Sequence, residues 1–407
     1  MTGPKLLEGT RVLDLSRVLA GPWCGQLLAD YGADVIKVER PEIGDDTRAW
    51  GPPWWGDPAD RMAAYYISAN RGKRSIAIDI ATAEGAALVC QLAAQADVLL
   101  ENYKVGQLAK YGLDHASLKP ANPRLVYCSI TGYGQDGPYA PNAGYDFAIQ
   151  ATGGLMSVTG EKDGTPGSEP QKVGVAVADL MTGVYATTAI LAALIERGRT
   201  GIGRHIDASL LDTQVAMLAN QASNYLIGGE TPKRVGNAHV NVVPYQVFAT
   251  AEGHIVLAVG NDGQFARFCS LNGQPAVAQD PRFITNAQRI GHRAELIPNL
   301  AGWMLGRTTA QWTAFLEPNA VPCAPILELP EVFKHAQVLH RAIQLQGDGP
   351  PMVGTPMRFD GQRPVADLPP PQLDAHGHAV REALAHGSGW PAADQAADGA
   401  TISRPAK

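Results

Sequence analysis

Two kinds of apolar pattern alternate along the first half of the chain. Short runs rich in Val, Ile and Leu predict strands at residues 11–15, 35–38, 75–80, 97–100, 124–130 and 204–207. Longer runs with helical spacing lie between them, near residues 25–31 and 82–94. Because strands that alternate with helices form βαβ units, we predict an α/β domain with a mostly parallel sheet.

The second half of the chain has a different order of patterns. Residues 210–226 predict one long helix, and a turn-rich segment follows it. Two strands joined by a turn at 251–253 come next, and helical patterns follow at 264–271, 292–305 and 309–316. This order predicts a smaller α+β domain. The resulting division is a large domain (1–210), a linker helix (211–228), a small domain (229–328), a C-terminal return to the large domain (329–385) and a disordered tail (386–407).

One run places a single charge in strongly apolar surroundings. Asp179 is the only charged residue in VGVAVADLMTGVYATTAILAALI. Alternating valines at 173–177 predict a short buried strand or extended segment before it, and residues 180–195 predict an apolar helix after it. A carboxylate in such surroundings needs hydrogen bonds or a chemical function. The residues alone leave two compatible hypotheses, a helix N-cap and a catalytic carboxylate.

Composition narrows the class of protein. The chain has 407 residues, 45% of them hydrophobic and 18% charged, which is typical of a soluble globular protein long enough for two domains. A net charge of −6 disfavours general binding to nucleic acid or anionic membranes. The amino terminus has no signal-peptide pattern, and no window reaches 18 uninterrupted apolar residues. Five widely spaced cysteines predict reduced thiols and a cytoplasmic location.

Several common cofactor motifs are absent from the sequence. The stretch Leu13–Gly25 joins a strand to a helix but has no GxGxxG, with Arg17 and Pro22-Trp23 where close-approach glycines are needed. An NAD site is therefore not expected. There is also no P-loop, HExxH, GxSxG or paired Cys/His spacing, and we predict no metal site.

Basic and polar residues at strand ends are candidates for binding a phosphorylated nucleotide. Ligands of open α/β sheets collect beyond the carboxyl ends of strands, where Arg40, Asn102, Tyr103 and Lys110 fall. Arg74 stands at the start of the third strand and is a further candidate. The alternative for each residue is an ordinary solvated side chain.

Glycine-rich loops are a second class of candidate. The turn 132–138 could bend over a ligand, and the loop containing Gly236, Asn237 and His239 could supply backbone donors or a lid. Both could equally be plain structural loops.

Taken together, the motifs resemble the class III CoA-transferase family. The matching segments are LEGTRVLDLSRVLAGPWCGQLLADYGADVIKVERP, GDDTRAWGPP, NRGKRSIAIDI, ENYKVGQLAKYGL, SITGYGQDGPY, AGYDFAIQATGGLMSVTG and VAVADLMTG. The resemblance implies a Rossmann-like large domain, a small domain and two chains interlocked as a homodimer. It implies that Asp179 is the nucleophile and that coenzyme A is a substrate, with no permanently bound cofactor.

The same resemblance carries over further positions. CoA would place its nucleotide near Val18, Ala20, Arg40, Asn102, Tyr103 and Lys110, the last of which is arginine in the formyl-CoA enzyme. A tetraglycine loop of that enzyme is absent, and Gly236–His239 occupies the corresponding region. Leu19 stands where that enzyme has a glutamine. Related α-methylacyl-CoA racemases have a histidine at the position of Tyr145. The tyrosine of this chain favours transfer over racemisation, because a phenol is a poor proton carrier at neutral pH.

Other segments are similar to the succinyl-CoA:glutarate CoA-transferases. They are NYLIGGETPKRVGNAH, VVPYQVF and GDDTRAWGPPWWG. A dicarboxylate needs a cation for its remote carboxylate, and Arg48 or Arg17 could supply it, although either could be a structural ion-pair partner. The expected activity is therefore CoA transfer from an acyl-CoA such as succinyl-CoA to a short dicarboxylic acid such as glutarate. A racemase or a formyl-CoA:oxalate-type transferase is the alternative.

Overall fold

Six of the strands form one parallel sheet in the computed structural model, which describes residues 3–347, 349–387 and 389–391. They are β1 (Arg11–Asp14), β2 (Asp34–Glu39), β3 (Lys73–Ala77), β4 (Val98–Glu101), β5 (Val126–Thr131) and β6 (His205–Ser209). Their spatial order is β3-β2-β1-β4-β5-β6, and every neighbouring pair is parallel. The predicted α/β class with a parallel sheet is therefore confirmed. This order is that of doubly wound folds.

Alternate residues of the central strand serve two different cores. Val12 of β1 packs with residues of the Ala20–Asp30 and Val177–Thr200 helices. Leu13 packs with residues of the Ala83–Ala93 helix on the other side of the sheet. Both side chains are fully buried. Because successive side chains of a strand point to opposite faces, the sheet has a hydrophobic core on each face.

The remaining helices and short elements surround this sheet or belong to the rest of the chain. Helices of the first unit described below are Ala64–Ala69, His115–Leu118, Asp146–Thr152, Leu210–Met217, Ala219–Gly228 and Gly377–Ala385. Further short helices are Asp46–Ala49, Leu108–Tyr111, Leu155–Val158, Glu317–Asn319, Leu329–Val332 and Ala336–Arg341. Two small antiparallel ladders pair Trp54–Trp55 with Met62–Ala63 and Gln344–Leu345 with Met352–Val353.

One of the two alternatives for segment 173–177 is wrong, and so is one predicted helix. The segment 173–177 is not a buried strand, since Val175 is 58% exposed and the helix already begins at Val177. The spacing of the valines imitated a strand, but the segment has no neighbouring strand with which to pair in the described sheets. The single helix predicted for 210–226 is two helices, because Ala219 adopts a positive φ of 43° and interrupts the helical backbone.

The Val177–Thr200 helix is long and apolar enough to cross a membrane by length and composition alone. This test is weak, because core helices of soluble proteins pass it too. Here the helix packs along the Ala20–Asp30 helix and against the sheet. Its buried residues include Ala178, Ala186 and Ile190. One face of the helix is therefore buried in the hydrophobic core.

The chain divides into two compact units. The first comprises the described residues of Met1–Leu155, Val173–Gly228 and Leu339–Lys407, and the second comprises Met156–Lys172 and Gly229–Val338. Most of the predicted disordered tail, from residue 392 onward, lies outside the described residues.

The second unit contains an antiparallel sheet of three strands in the part of the chain that is described. The strands are β7 (Tyr245–Ala249), β8 (His254–Ala258) and β9 (Cys323–Pro325), in the order β9-β8-β7. Its longer helices are Asp262–Leu271, Arg293–Met304 and Thr309–Leu316, and shorter ones are Pro275–Gln279 and Asn286–Gly291. The predicted strand pair and three helices are found here. The strand β9 was not predicted, because its three residues give no clear period.

Candidate active site

The loops that follow the two central strands of the parallel sheet line a cavity of about 140 Å³. Strands β1 and β4 are neighbours, and the strand order reverses between them. Ligands of such sheets bind beyond the carboxyl ends of the strands at this point. The lining residues come from the β1 and β4 loops, from 130–132 and 140–145, and from two later helices, and they include Arg17, Val18, Leu19, Ala20, Asn102, Tyr103, Tyr145 and Asp179. The cavity thus brings together residues that are far apart in sequence.

Asp179 lies in the first turn of the Val177–Thr200 helix without capping it. The N-cap position is Ala176, which makes no side-chain hydrogen bond. Among the described residues, none donates a hydrogen bond to the Asp179 carboxylate. Burial, and secondly the negative charge of Asp146, raise the pKa of Asp179 from 3.8 to about 7. The hypothesis that the Asp179 side chain is an N-cap is therefore wrong.

The cap comes from another helix. Asp146 Oδ1 accepts hydrogen bonds from the backbone N–H groups of Ala178 (2.8 Å) and Asp179 (3.3 Å). Its Oδ2 accepts a bond of 2.7 Å from Gln150 Nε2. No sequence pattern singles out Asp146, since a cap supplied from 32 residues away has no local spacing.

A strained turn at Val18 forms another part of the cavity wall. Val18 has a φ of 71°, which is uncommon for a β-branched residue and costs about 1–3 kcal/mol. Asn102 holds the preceding residue at both backbone groups, accepting from Arg17 N (2.9 Å) and donating to Arg17 O (2.6 Å). The Val18 N–H donates to Asp45, whose carboxylate is paired with the fully buried Lys37 at 2.9 Å. The amide of Asn102 therefore shapes the cavity.

Close packing of two helices sets the position of Asp179 relative to that turn. Gly183 lies one turn beyond Asp179, and a Cβ atom there would come within 2.7 Å of the Ala20 carbonyl oxygen. It would also meet the Trp23 side chain at 3.1 Å. A glycine is thus required for the Val177–Thr200 helix to approach the start of the Ala20–Asp30 helix this closely.

A second cavity of about 180 Å³ adjoins the same loops. It is lined by Arg17, Lys37, Arg40, Tyr103 and others. Arg17 and Arg40 both pair with Asp46, at 2.7 and 3.1 Å, and about half of each arginine side chain is exposed. Exposed guanidinium groups of this kind are suited to phosphate recognition.

Two arginines that were predicted to bind ligands form ion pairs with carboxylates of the protein instead. Arg48 forms a bidentate pair with Glu39 (2.8 Å for both bonds) and lies 3.8 Å above the ring of Tyr66. Arg74 forms a bidentate pair with Asp34 (3.0 and 2.6 Å). Neither lines the two cavities, and each guanidinium compensates the charge of a carboxylate. These contacts correspond to the structural ion-pair alternative.

The other predicted positions are not among the residues that line the two cavities. Lys110 lies on the Leu108–Tyr111 turn and lines neither cavity. Gly236, Asn237 and His239 belong to the second unit. There Gly236 has a φ of 64°, and the His239 N–H donates to Tyr245 O at 2.8 Å.

Tyr65 is a residue near the site that sequence reasoning missed. Burial, with the charges of Asp179 and Asp146, raises its pKa, so its phenol lies within electrostatic reach of both carboxylates. Its ring packs edge-on against Trp50 at 5.0 Å. Nothing in the local sequence AAYYIS distinguished this tyrosine from its buried neighbour Tyr66.

Comparison with known proteins identifies the family. The family model of CoA-transferase family III matches residues 7–377. This chain belongs to CoA-transferase family III. The family predicted from the sequence segments is thus confirmed.

Relatives within family III cover nearly the whole chain. The succinate–glutarate CoA-transferase of Agrobacterium fabrum is 52% identical over 378 residues, which are 91% of this chain and 93% of that protein. The succinyl-CoA:glutarate CoA-transferase of Homo sapiens is 43% identical, covering 94% of this chain and 87% of that protein. A crystal structure of a CaiB/BaiF family protein from Brucella suis has a TM-score of 0.83 at 49% identity, covering 94% of this chain and 100% of that one.

Proposed function

We propose that this family III enzyme transfers CoA from succinyl-CoA to glutarate through a covalent intermediate on Asp179. The choice of substrates is supported by the names of relatives that are 52% and 43% identical over nearly the whole chain. The choice of nucleophile is supported by one observation above all. The Asp179 carboxylate lines the cavity at the reversal of strand order and has no hydrogen-bond partner among the described residues.

The first half of the proposed reaction moves CoA onto the enzyme. An Asp179 oxygen attacks the thioester carbonyl carbon of succinyl-CoA, the carbon–sulfur bond breaks, and CoA leaves as a thiolate. The product is a mixed anhydride of Asp179 and succinate. The thiolate then attacks the Asp179 carbonyl carbon and succinate leaves, which gives an aspartyl-CoA thioester.

The second half repeats these steps in reverse with the acceptor. A glutarate oxygen attacks the aspartyl thioester and releases the thiolate, giving an anhydride with glutarate. The thiolate attacks the glutaryl carbonyl carbon, which forms glutaryl-CoA and restores the Asp179 carboxylate. No proton is consumed. Because every intermediate can be hydrolysed, the cycle needs a site that excludes water.

The raised pKa of Asp179 suits this chemistry. With a pKa of about 7, a large share of Asp179 is ionised at neutral pH and can attack, and its carboxylate is more basic than that of an ordinary aspartate. Greater basicity makes an oxygen a stronger nucleophile. A poorly solvated carboxylate also has less water to shed before it reaches the thioester carbon.

We propose that the nucleotide part of CoA extends into the second cavity. Arg40 is the candidate phosphate ligand, since it lines this cavity and its side chain is about half exposed. Val18, Ala20 and Tyr103 would contact the rest of CoA. Arg17 also lines the first cavity and is our candidate for the remote carboxylate of the acid, whereas Lys110, Gly236, Asn237 and His239 remain predictions from the resemblance.

We further propose that the enzyme is a homodimer of interlocked, Rossmann-like subunits in the cytoplasm. Large apolar side chains on two helices of the first unit are left exposed, as at a protein interface. They are Val184, Tyr185 and Ile195 on one helix and Tyr225, Leu226 and Ile227 on another. The cytoplasmic location is inferred from the five unpaired, widely spaced cysteines.

A donor-by-acceptor activity matrix tests the proposed substrates. Succinyl-CoA, acetyl-CoA and formyl-CoA would each be combined with glutarate, succinate and oxalate, and thioester products measured by mass spectrometry. We expect succinyl-CoA with glutarate to have the highest kcat/KM. A higher value for formyl-CoA with oxalate would overturn the choice of substrates. Deuterium incorporation at the α-carbon of a 2-methylacyl-CoA would instead support the racemase alternative.

A further inference from the structure

The start of the Val177–Thr200 helix presents a competition for hydrogen bonds. Free N–H groups in the first turn of a helix attract nearby carboxylates, and an aspartate inside that turn is well placed to take them. Here the N–H groups of Ala178 and Asp179 already donate to Asp146 Oδ1. The Asp179 carboxylate consequently has no partner in the described part of the chain, and it remains on the cavity wall.

We propose that Asp146 is a positioning residue for the transfer reaction. Its carboxylate occupies the backbone donors at the start of the nucleophile's helix, and this keeps the Asp179 carboxylate unbonded and directed at the thioester. The inference rests on the proposed function, because it assumes that Asp179 is the nucleophile.

Asp146 is itself held in place by a buried amide. Gln150 is one turn further along the same helix and donates from Nε2 to Asp146 Oδ2 at 2.7 Å. The other end of the amide, Oε1, accepts from Val173 N at 2.9 Å. Gln150 is completely buried. Asp146 and Gln150 therefore fix the backbone on both sides of the helix start, from Val173 to Asp179.

The charge of Asp146 has a second effect on the nucleophile. Two carboxylates close together resist double ionisation, and Asp146 contributes, after burial, to the raised pKa of Asp179. The other titratable groups around Asp179 are Tyr65 from the Ala64–Ala69 helix and the cavity residues Arg17, Tyr103, Lys104 and Tyr145. Neither of the two cations among them, Arg17 and Lys104, contributes appreciably to the pKa of Asp179, which burial and secondly Asp146 raise.

Substitution of Asp146 separates the two effects. Asp146→Asn keeps an oxygen for the backbone donors and removes the charge. We expect the acid limb of kcat/KM for succinyl-CoA to move to lower pH by roughly one unit. Asp146→Ala removes both the charge and the acceptor. We expect its kcat to fall at least about tenfold with little change in KM, since the nucleophile is misplaced and substrate binding is not.

Glu84→Gln is the matched control. Glu84 is an exposed residue of the same unit that lines neither cavity, and its helix packs on the other face of the sheet from the Val177–Thr200 helix. This variant removes one negative charge without touching the helix start, and both kcat and the pH profile should stay as in the wild type. A shift equal to that of Asp146→Asn would mean that net charge alone is responsible, and it would overturn the inference.

Parallel measurements on Asp179→Asn separate failure of this inference from failure of the proposed function. If Asp179→Asn retains turnover, Asp179 is not the nucleophile and the proposed function fails. If Asp179→Asn is inactive while Asp146→Ala keeps the wild-type kcat, only the positioning role is refuted; a wild-type pH profile of Asp146→Asn refutes the charge effect alone. Should Asp146→Ala fail to fold, Gln150→Leu is measured instead, because it keeps the charge of Asp146 and removes the amide that holds its carboxylate. A wild-type kcat in that variant would refute the positioning role.

A measurement without substrate gives an independent readout. The change in urea unfolding midpoint caused by Asp179→Asn would be measured at pH 5 and at pH 8, once in the wild type and once in the Asp146→Asn variant. If the charge of Asp146 acts on Asp179 as proposed, the difference between the two pH values is smaller in the Asp146→Asn variant than in the wild type. If Asp146 has only a structural role, Asp146→Asn lowers the midpoint equally at both pH values, and this difference stays the same.

Discussion

Replacing Asp179 by asparagine should remove a loss of unfolding free energy that the wild-type protein undergoes as the pH rises. The pKa of Asp179 is raised from 3.8 to about 7 in the folded state. Between these pH values the folded protein binds the proton more tightly than the unfolded chain does. Its stability therefore falls as the pH rises through this window, and the loss is complete above about pH 7. Asparagine has no proton to lose, so the variant escapes this loss.

The size of the effect follows from the same numbers. Each pKa unit corresponds to about 1.4 kcal/mol, so the raised pKa sets an upper limit of roughly 4 kcal/mol at pH 8. About two thirds of it develops between pH 5 and pH 8. Asp179 is only partly buried, and solvent access reduces the interaction. We therefore expect the asparagine variant to gain about 1–2 kcal/mol relative to the wild type on going from pH 5 to pH 8.

Urea unfolding at equal protein concentration measures this difference. The free energy of unfolding of the wild type and of Asp179→Asn would be determined at pH 5 and pH 8, with Glu84→Gln as the control for loss of an exposed carboxylate. The diagnostic quantity is the change in the difference with pH, because any constant effect of the amide cancels. An equal difference at both pH values would refute the reasoning, and with it the perturbed ionisation of the proposed nucleophile.

Other substitutions probe how the cavity is built. Gly183→Ala should cost about 1–3 kcal/mol of stability and lower kcat, because its Cβ would press on the neighbouring helix; thermal unfolding and kinetics check this. Arg48→Ala should cost about 3–5 kcal/mol by leaving a buried carboxylate unpaired, with KM for glutarate unchanged in the folded fraction; a large rise in KM would contradict it. Asn102→Ala should release the strained turn and raise KM for succinyl-CoA more than it lowers kcat, as steady-state kinetics would show. Wild-type kcat/KM should rise with pH through an inflection near 7.

The parallel sheet was predictable because its signals are local. Each buried strand is a short apolar run, and the strand ends identify the loops that line the cavity. Arg17 and Asn102 could therefore be expected to come close together although 85 residues separate them. The family resemblance added the nucleophile, which the residues alone left as one of two hypotheses.

The start of the nucleophile's helix was not predictable in the same way. The alternating valines at 173–177 have the spacing typical of a strand. The segment is nevertheless not a strand, because none of the described sheets offers it a neighbouring strand. The source of the cap is also a tertiary fact, because Asp146 reaches the helix start from a separate helix. A capping residue has a recognisable sequence pattern only when it is adjacent to the helix that it caps.

Side-chain roles of charged residues depend on partners that the sequence does not reveal. Arg48 and Arg74 are of a residue type that often binds anionic ligands, yet their guanidinium groups form ion pairs with Glu39 and Asp34. Asn102 lines the first cavity, and the sequence does not reveal that its amide also holds the backbone of Arg17. In each case the partner is set by the folded structure and has no signal in the local sequence pattern.

Chemical trapping of the intermediate is the most direct test of the covalent mechanism. The enzyme would be mixed with succinyl-CoA without acceptor, quenched within one turnover in hydroxylamine or borohydride, digested and examined by mass spectrometry. We predict that the modification lies on Asp179 in the wild type and is absent from Asp179→Asn. An unmodified Asp179 in enzyme that turns over, or a label on another residue, would contradict the account.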